Sequence, residues 1–267
     1  MKGRVLIIAG SDSGGGAGIQ ADIKTVTALG GFAATAITAL TAQNTLGAHG
    51  VLSVEPAFVV RQMRVVLDDI GADCLKTGML HTPAIIDAVA DTIETAAAGI
   101  PLVVDPVMVA KGGARLLDES AHEALVRRLL PLASVLTPNA PEAEALTGIA
   151  VIDPDSQRAA GEVLVAAGAR AVLVKGGHVP GAGIVDLLVT RNGVDRFEGP
   201  RIDTAHTHGT GCTLASAIAA GLAQKLELRD AVARAREYVL AAIRSAPGYG
   251  HGHGPLDHGV TVQPFGV

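Results

Sequence analysis

The stretch Val5-Leu-Ile-Ile-Ala9, running into Gly10-Ser-Asp-Ser-Gly-Gly-Gly-Ala-Gly18, decides the fold. Five apolar residues end in a glycine-rich turn, Ile19–Leu29 follows with helical spacing, and Phe32–Ile37 offers a second strand. The same alternation continues outward. Helices are expected at Ala57–Ile70, Pro83–Ala97, Glu119–Leu130, Pro141–Leu146, Gln157–Ala167, Thr210–Gln224 and Leu228–Ala246. Strands are expected at Asp73–Thr77, Leu102–Val104, Val135–Leu136 and Ala171–Lys175. The turn Arg191-Asn-Gly193 joins Gly183–Thr190 to Val194–Phe197 as a hairpin. Thr41-Ala-Gln-Asn-Thr45 reads as a polar loop. Strands alternating with helices predict an α/β protein with a doubly wound, mainly parallel sheet and helices on both faces. No composition break, linker or repeat divides residues 1–267, which read as one domain.

The composition narrows the function class. Apolar residues make up 49% of the chain and aromatics 2%, so the core is expected to be built from small aliphatic groups. A net charge of −5 without a dense basic run gives nucleic acid nothing to bind. No apolar run has membrane-spanning length, and Val5–Ala9 is too short for a signal-peptide core, so no membrane partner is expected. Cys74 and Cys212 make no disulfide framework, and a cytoplasmic location is the simplest expectation.

In a doubly wound sheet, ligands bind beyond the carboxyl ends of the strands. The polar and glycine-rich segments fall there: Gly10–Gly18, Thr41–Thr45, Lys76–Met79, Asp105–Gly113, Thr137–Glu142 and Lys175–His178. A further turn, His208-Gly-Thr-Gly-Cys-Thr213, opens the helix whose apolar face is Ala215, Ile218, Ala219 and Leu222. Glycines at a helix start aim free N–H groups and the positive dipole end at one spot, where a phosphate or a developing negative charge binds. Cys212 lies in that field, which favours thiolate. The alternative is a plain glycine-capped helix with a small buried cysteine.

The other motifs leave two readings each. The loop Gly10–Gly18 lacks the Lys-Ser/Thr ending of a Walker A loop and the spacing of a dinucleotide fingerprint; it suits close ligand approach or a simple strand-to-helix connection. Asp22, one turn into the next helix, reads as a solvated face residue or a ligand contact. Asp105, at a strand end before Pro106, is placed for a metal–water or phosphate role. Asn139 and Glu142 put two oxygen groups on one rim, enough for a nucleotide-bound Mg²⁺ that keeps most of its waters; they also fit a capping box. Lys175-Gly-Gly-His178 suits phosphate contact, and Lys111-Gly-Gly113 suits a mobile flap, although either lysine also reads as surface charge. Cys74 reads as a packed small apolar residue, and the C-terminal His251 and His253 as tail or wall.

These motifs, in this order, resemble the hydroxymethylpyrimidine/phosphomethylpyrimidine kinases, the thiamine-pathway branch of the ribokinase-like superfamily. The resemblance runs through Ala9–Asp22, Thr38–Thr45, Lys76–Leu80, Asp105–Met108, Thr137–Glu142, Val174–His178 and Thr207–Thr213 to Gly250–Pro255, essentially the whole chain. It implies a single ribokinase-like three-layer sandwich, usually a homodimer, with Mg-ATP as donor and a hydroxymethyl- or phosphomethyl-pyrimidine as acceptor. It implies that Gly10, Asp22, Gln43 and Met79 line the pyrimidine pocket. By the same resemblance Asn139, Glu142 and Asp105 organise Mg²⁺ and Lys175 faces the nucleotide phosphates. Gly209, Thr210, Gly211 and Cys212 form the anion hole, with Cys212 as base. Ribokinases proper carry Asp at the position of Cys212. Ser13 stands where many relatives have proline, a departure that bears on loop rigidity rather than on activity.

Two other readings compete. One is a pyridoxal kinase on the same scaffold, since some relatives with the same Gly-Thr-Gly-Cys turn use pyridoxine-type rings; steady-state rates with the two hydroxymethyl substrates separate them. A non-catalytic nucleotide- or vitamin-binding protein would carry a damaged magnesium rim or anion hole, and both are intact in this sequence.

Overall fold

A computed structural model describes residues 2–108, 119–263 and 265–266. Among the described residues nine strands form one sheet: β1 (Arg4–Asp12), β2 (Phe32–Asn44), β3 (Gly47–Ser53), β4 (Cys74–Thr77), β5 (Leu102–Val104), β6 (Val135–Leu136), β7 (Ala171–Val174), β8 (Gly183–Thr190) and β9 (Gly193–Pro200). Their order across the sheet is β3-β2-β1-β4-β5-β6-β7-β8-β9. The pairings from β2 through β7 are parallel, while β3, β8 and β9 join antiparallel at the two ends.

Helices cover both faces, and β1 shows why. Its residues alternate between two cores: Leu6 and Ile8 pack on one side, Val5, Ile7 and Ala9 on the other. The first face carries α2 (Pro56–Asp69), α3 (Pro83–Ala96), α4 (Glu119–Ala124), α5 (Ala140–Thr147) and α6 (Pro154–Ala166). The second carries α1 (Gly18–Ala28), α7 (Thr210–Ala223) and α8 (Leu228–Arg244). Small residues let α7 and α8 approach closely; a Cβ on Gly221 would lie 2.7 Å from Ala231 Cβ. The result is the expected three-layer arrangement, with a mainly parallel sheet between helices. No described helix is long and apolar enough to cross a membrane.

Two elements depart from expectation. Thr41–Asn44 is not a loop: β2 continues through it, and β3 pairs back along it, Leu40 opposite Leu52. As the edge strand, β3 exposes every residue from His49 to Ser53, so it lacks the apolar alternation that marks a half-buried strand. The expected helix Glu119–Leu130 is a single α-turn and a half before it widens to π geometry at Leu125–Leu129 and tightens to 3-10 at Leu130–Leu132. Pro131 removes a backbone donor there. The Lys111–Gly113 flap lies outside the described residues.

Candidate active site

Asp12, the last residue of β1, organises the first loop. Its buried carboxylate accepts the amides of Gly14 (2.8 Å), Gly16 (3.0 Å) and Ala17 (2.8 Å) and meets His208 Nε2 at 3.0 Å. Burial acts to raise its pKa, but the bonds from His208 and the loop amides outweigh it and hold the carboxyl below its ordinary value. Ser13 closes the other side: its hydroxyl donates to Gln43 O at 2.9 Å and accepts from Gln43 N at 2.8 Å. The loop is therefore tied to β2 without a proline. Sequence reasoning missed Asp12; an acid two residues before a glycine run, with several free amides to satisfy, is the signal that marks it.

Gly10, Gln43 and Met79 line one cavity. A Cβ on Gly10 would lie 3.1 Å from Met79 Sδ, and Thr38 Oγ1 donates to Met79 O at 2.6 Å, which fixes Met79 there. Asp22 does not line it. Nor is Asp22 a solvated residue: it is fully buried, both carboxylate oxygens 2.9 Å from Lys76 Nζ, and Ser216 Oγ donates to it at 2.7 Å. Burial opposes both charges: it pushes the Asp22 carboxyl up despite Lys76 and Ser216, whereas the nearby carboxylates hold Lys76 above its ordinary range, so the ammonium stays charged. Lys76, not Asp22, reaches the cavity.

The turn before α7 is shaped by close approach. Gly209 has φ +82°, and a Cβ there would lie 1.8 Å from Gly16 O, so the two glycine loops touch backbone to backbone. Thr210 Oγ1 donates to Thr207 O at 2.8 Å and Thr213 Oγ1 to Gly209 O at 2.8 Å, which ties down the first helical turn. Gly211 leaves room for Lys175, whose Nζ would be 3.3 Å from a Cβ. Cys212 is half-buried at this helix start. The expected thiolate is overturned: burial pushes its thiol up to about 12, Asp22 and Asp105 add to this, and Lys76 and the Gly18 amide only partly oppose it. Cys74 is buried and its thiol is raised too, as expected of a packed residue.

Across the cavity, Lys175 Nζ lies 3.4 Å from Asp105 Oδ1 and 3.9 Å from Glu142 Oε2. The capping box is real: Asn139 Oδ1 accepts Glu142 N at 2.9 Å, and Asn139 N donates to Glu142 Oε2 at 2.8 Å. The same box aims Glu142 at the cavity, so capping and the rim coincide. Burial pushes Glu142 up to about 7; Asp105 contributes, while Lys175 and the amides of Asn139 and Met108 oppose. Two buried carboxylates thus share one ammonium. Among the described residues no three His, Cys, Asp or Glu gather as a ready-made metal cluster. Hard oxygen donors with an unbalanced negative charge fit a hydrated Mg²⁺, which needs one or two carboxylates and otherwise binds phosphate.

Gly10, Asp12, Gln43, Lys76, Met79, Asp105, Asn139, Glu142, Lys175 and His208–Cys212 line one cavity of about 1110 Å³ at the carboxyl ends of the parallel strands. The sequence model of the phosphomethylpyrimidine kinase family matches residues 12–257. The thiamine biosynthesis bifunctional protein ThiED of Geobacter sulfurreducens is 54% identical over 98% of this chain, which spans about half (53%) of that protein's length. The hydroxymethylpyrimidine/phosphomethylpyrimidine kinase of Streptomyces coelicolor is 48% identical over 96% of this chain and 94% of its own. Among solved structures, the ADP complex of Bacillus subtilis pyridoxal kinase superposes with a TM-score of 0.89 at 35% identity, covering 97% of this chain and 98% of that one.

Proposed function

Because the chain belongs to the phosphomethylpyrimidine kinase family, we propose that it transfers the γ-phosphoryl group of ATP to 4-amino-5-hydroxymethyl-2-methylpyrimidine and then to the resulting monophosphate, toward thiamine. The observation that carries this reading is that Gly10, Gln43 and Met79 line the same cavity as the Gly209–Cys212 helix start and Lys175. An acceptor ring held against the first places its hydroxymethyl group at the second. Lys175 and Thr210 take the donor phosphates, and the first amides of α7 stabilise charge on the transferring group. Asp105, Glu142 and Asn139 would hold Mg²⁺, which when bound neutralises the donor oxygens. Cys212 is the candidate base for the alcohol. It begins as a neutral thiol and must lose its own proton before it takes the acceptor's. The phosphate acceptor of the second step is already an anion and needs no base.

A homodimer is part of the reading. Leu40, Leu46, Val51 and Leu52 are exposed along the β2–β3 edge, and a second copy would cover them. The chain is read as one domain, since its helices pack on the two faces of one sheet, and the two free cysteines accord with a reducing cytoplasm.

A second reading, phosphorylation of a pyridoxine-type ring, is favoured by the likeness to pyridoxal kinase. One coupled assay with Mg-ATP over the pyrimidine alcohol, its monophosphate and pyridoxal tests both. The pyrimidines are expected to turn over with the higher kcat/KM. A clear preference for pyridoxal, or no turnover on either pyrimidine, overturns the proposal.

A further inference from the structure

His208 is buried between the two glycine loops, and its Nε2 has two neighbours: Asp12 Oδ2 at 3.0 Å and the Gln43 carboxamide nitrogen at 3.3 Å. The carboxamide oxygen of Gln43 faces Thr41 Oγ1 at 3.2 Å. A carboxamide turned by half a rotation exchanges its oxygen and nitrogen without changing shape, so its sense is decided by its partners.

The partners decide it twice. An ionised Asp12 only accepts, so His208 Nε2 must carry the proton; a lone pair there would face a carboxylate lone pair. Once Nε2 donates, it cannot also accept from a Gln43 N–H, and the Gln43 atom facing it must be the oxygen. At the other end, the single proton of the Thr41 hydroxyl goes to Ser11 O at 2.9 Å. Thr41 Oγ1 is therefore an acceptor toward Gln43, and the atom facing it must be the nitrogen. Two independent hydrogen-bond accounts give the same sense, opposite to that of the contacts above. The backbone of Gln43 is held by Ser13, so the carboxamide is free to choose only by this rotation.

We propose that the Asp12–His208 pair locks the sense of the Gln43 carboxamide and thereby selects the acceptor ring by the order of donor and acceptor along one edge. This rests on the reading of Gln43 as the residue that reads the ring. The hydroxymethyl group must point at Gly209–Cys212, so the ring cannot turn over to suit the other sense. A 4-aminopyrimidine edge presents a donor beside the acceptor N3; the 4-oxo analogue presents an acceptor beside a donor. One sense of the carboxamide matches the first edge and the other sense the second. Asp12 and His208 touch no acceptor atom in this scheme and act as positioning residues.

The test compares kcat/KM for 4-amino-5-hydroxymethyl-2-methylpyrimidine with that for its 4-oxo analogue, using the intact protein. His208→Ala removes one of the two groups that fix the carboxamide and leaves only Thr41, whose hydroxyl can turn its proton from Ser11 O to Gln43 and so accept either sense; the amino-to-oxo ratio is expected to fall about tenfold, the worth of one hydrogen bond. His208→Gln, whose side-chain N–H reaches the same partners, is expected to keep the ratio close to that of the unaltered protein. In the unaltered protein, long-range ¹⁵N spectra are expected to show His208 protonated at Nε2. A ratio unchanged in His208→Ala, or a proton at Nδ1 alone, overturns the proposal even if the variant is unstable, because the spectrum is read on the native chain. Gln43→Ala separates the two readings. If it leaves acceptor KM intact, ring reading by Gln43 and its locking both fall; if it raises acceptor KM while the ratio ignores His208, only the locking falls.

Discussion

The carbonyl oxygen of Gly16 occupies the place where a side chain on Gly209 would begin, 1.8 Å from the position of its Cβ. The Gly10–Gly18 loop and the start of α7 are thus one piece of backbone packing, and either glycine loop misplaces the other if it moves. Gly209→Ala adds strain at φ +82° and forces the loops apart. We expect kcat to fall by at least about 10², the scale of losing one aimed backbone donor. Melting temperature should fall as well. Near-normal kcat in steady-state assays would mean that the amides of α7 do not face the reaction.

Lys76 and Asp22 form an ion pair with no exposed surface, Lys76 at the edge of the cavity and Asp22 behind it. Lys76→Met leaves an unpaired carboxylate and is expected to cost about 3–5 kcal/mol in denaturant titration. Lys76→Met combined with Asp22→Asn removes both charges and should recover most of that loss. Should Asp22→Asn instead abolish acceptor binding with stability unchanged, Asp22 belongs to the binding wall after all.

These two pairs show what was legible in the sequence. Strands such as β1 and β5 announce themselves as short unbroken apolar runs, and a helix such as α3 by apolar residues at helical spacing, signals that lie within one segment. The strand-end rule then gathers Gln43, Met79, Asn139, Glu142, Lys175 and Cys212 at one cavity. What stayed hidden depends on distance in space. Asp22 meets Lys76 from 54 residues away and Asp12 meets His208 from 196, and no local pattern reports a charge partner that remote. The thiol of Cys212 was misjudged for the same reason: the helix start is local, whereas its burial and the nearby Asp22 and Asp105 are not. The edge strand β3 lacks periodic burial to read.

Glu142→Gln keeps an oxygen to accept Asn139 N, so the start of α5 should survive. It removes one of the two carboxylates proposed to hold Mg²⁺. Turnover is expected to fall and the magnesium concentration for half-maximal rate to rise, with acceptor affinity by calorimetry little changed. A collapse of acceptor affinity instead would place Glu142 in the acceptor site.

His258 is buried against Thr213, whose Oγ1 lies 3.0 Å from its Nε2, one turn into α7. Burial pushes its pKa down from 6.5 to about 4, with Lys24 adding and Asp257 opposing. The folded protein therefore holds it neutral while the unfolded chain protonates it near pH 6.5. Its contribution is fully present above that pH and is lost as pH falls toward 4, about 3 kcal/mol in all. Denaturant titrations between pH 7 and pH 4 should show that loss, and His258→Gln should flatten it. A slope unaffected by the substitution would assign the acid sensitivity to other groups.

Cys212 gives the sharpest contrast between the two phosphorylation steps. Its thiol is pushed up to about 12, so near neutrality only a small fraction is thiolate, and that fraction grows tenfold with each pH unit. In the empty protein, iodoacetamide at pH 8 should modify Cys212 more slowly than a free thiol of ordinary pKa. Asp105→Asn, which removes a carboxylate that holds the thiol up, should speed that reaction. If Cys212 takes the proton of the alcohol, log kcat for that step should climb with a slope near one from pH 7 to 9. The monophosphate acceptor is already ionised over that range, so its rate should stay flat. Cys212→Ala should then lower the alcohol step strongly, abolish its pH dependence and spare the second step. Equal losses in both steps, or an alcohol step flat with pH, would leave Cys212 as a wall of the anion hole and remove it from proton transfer.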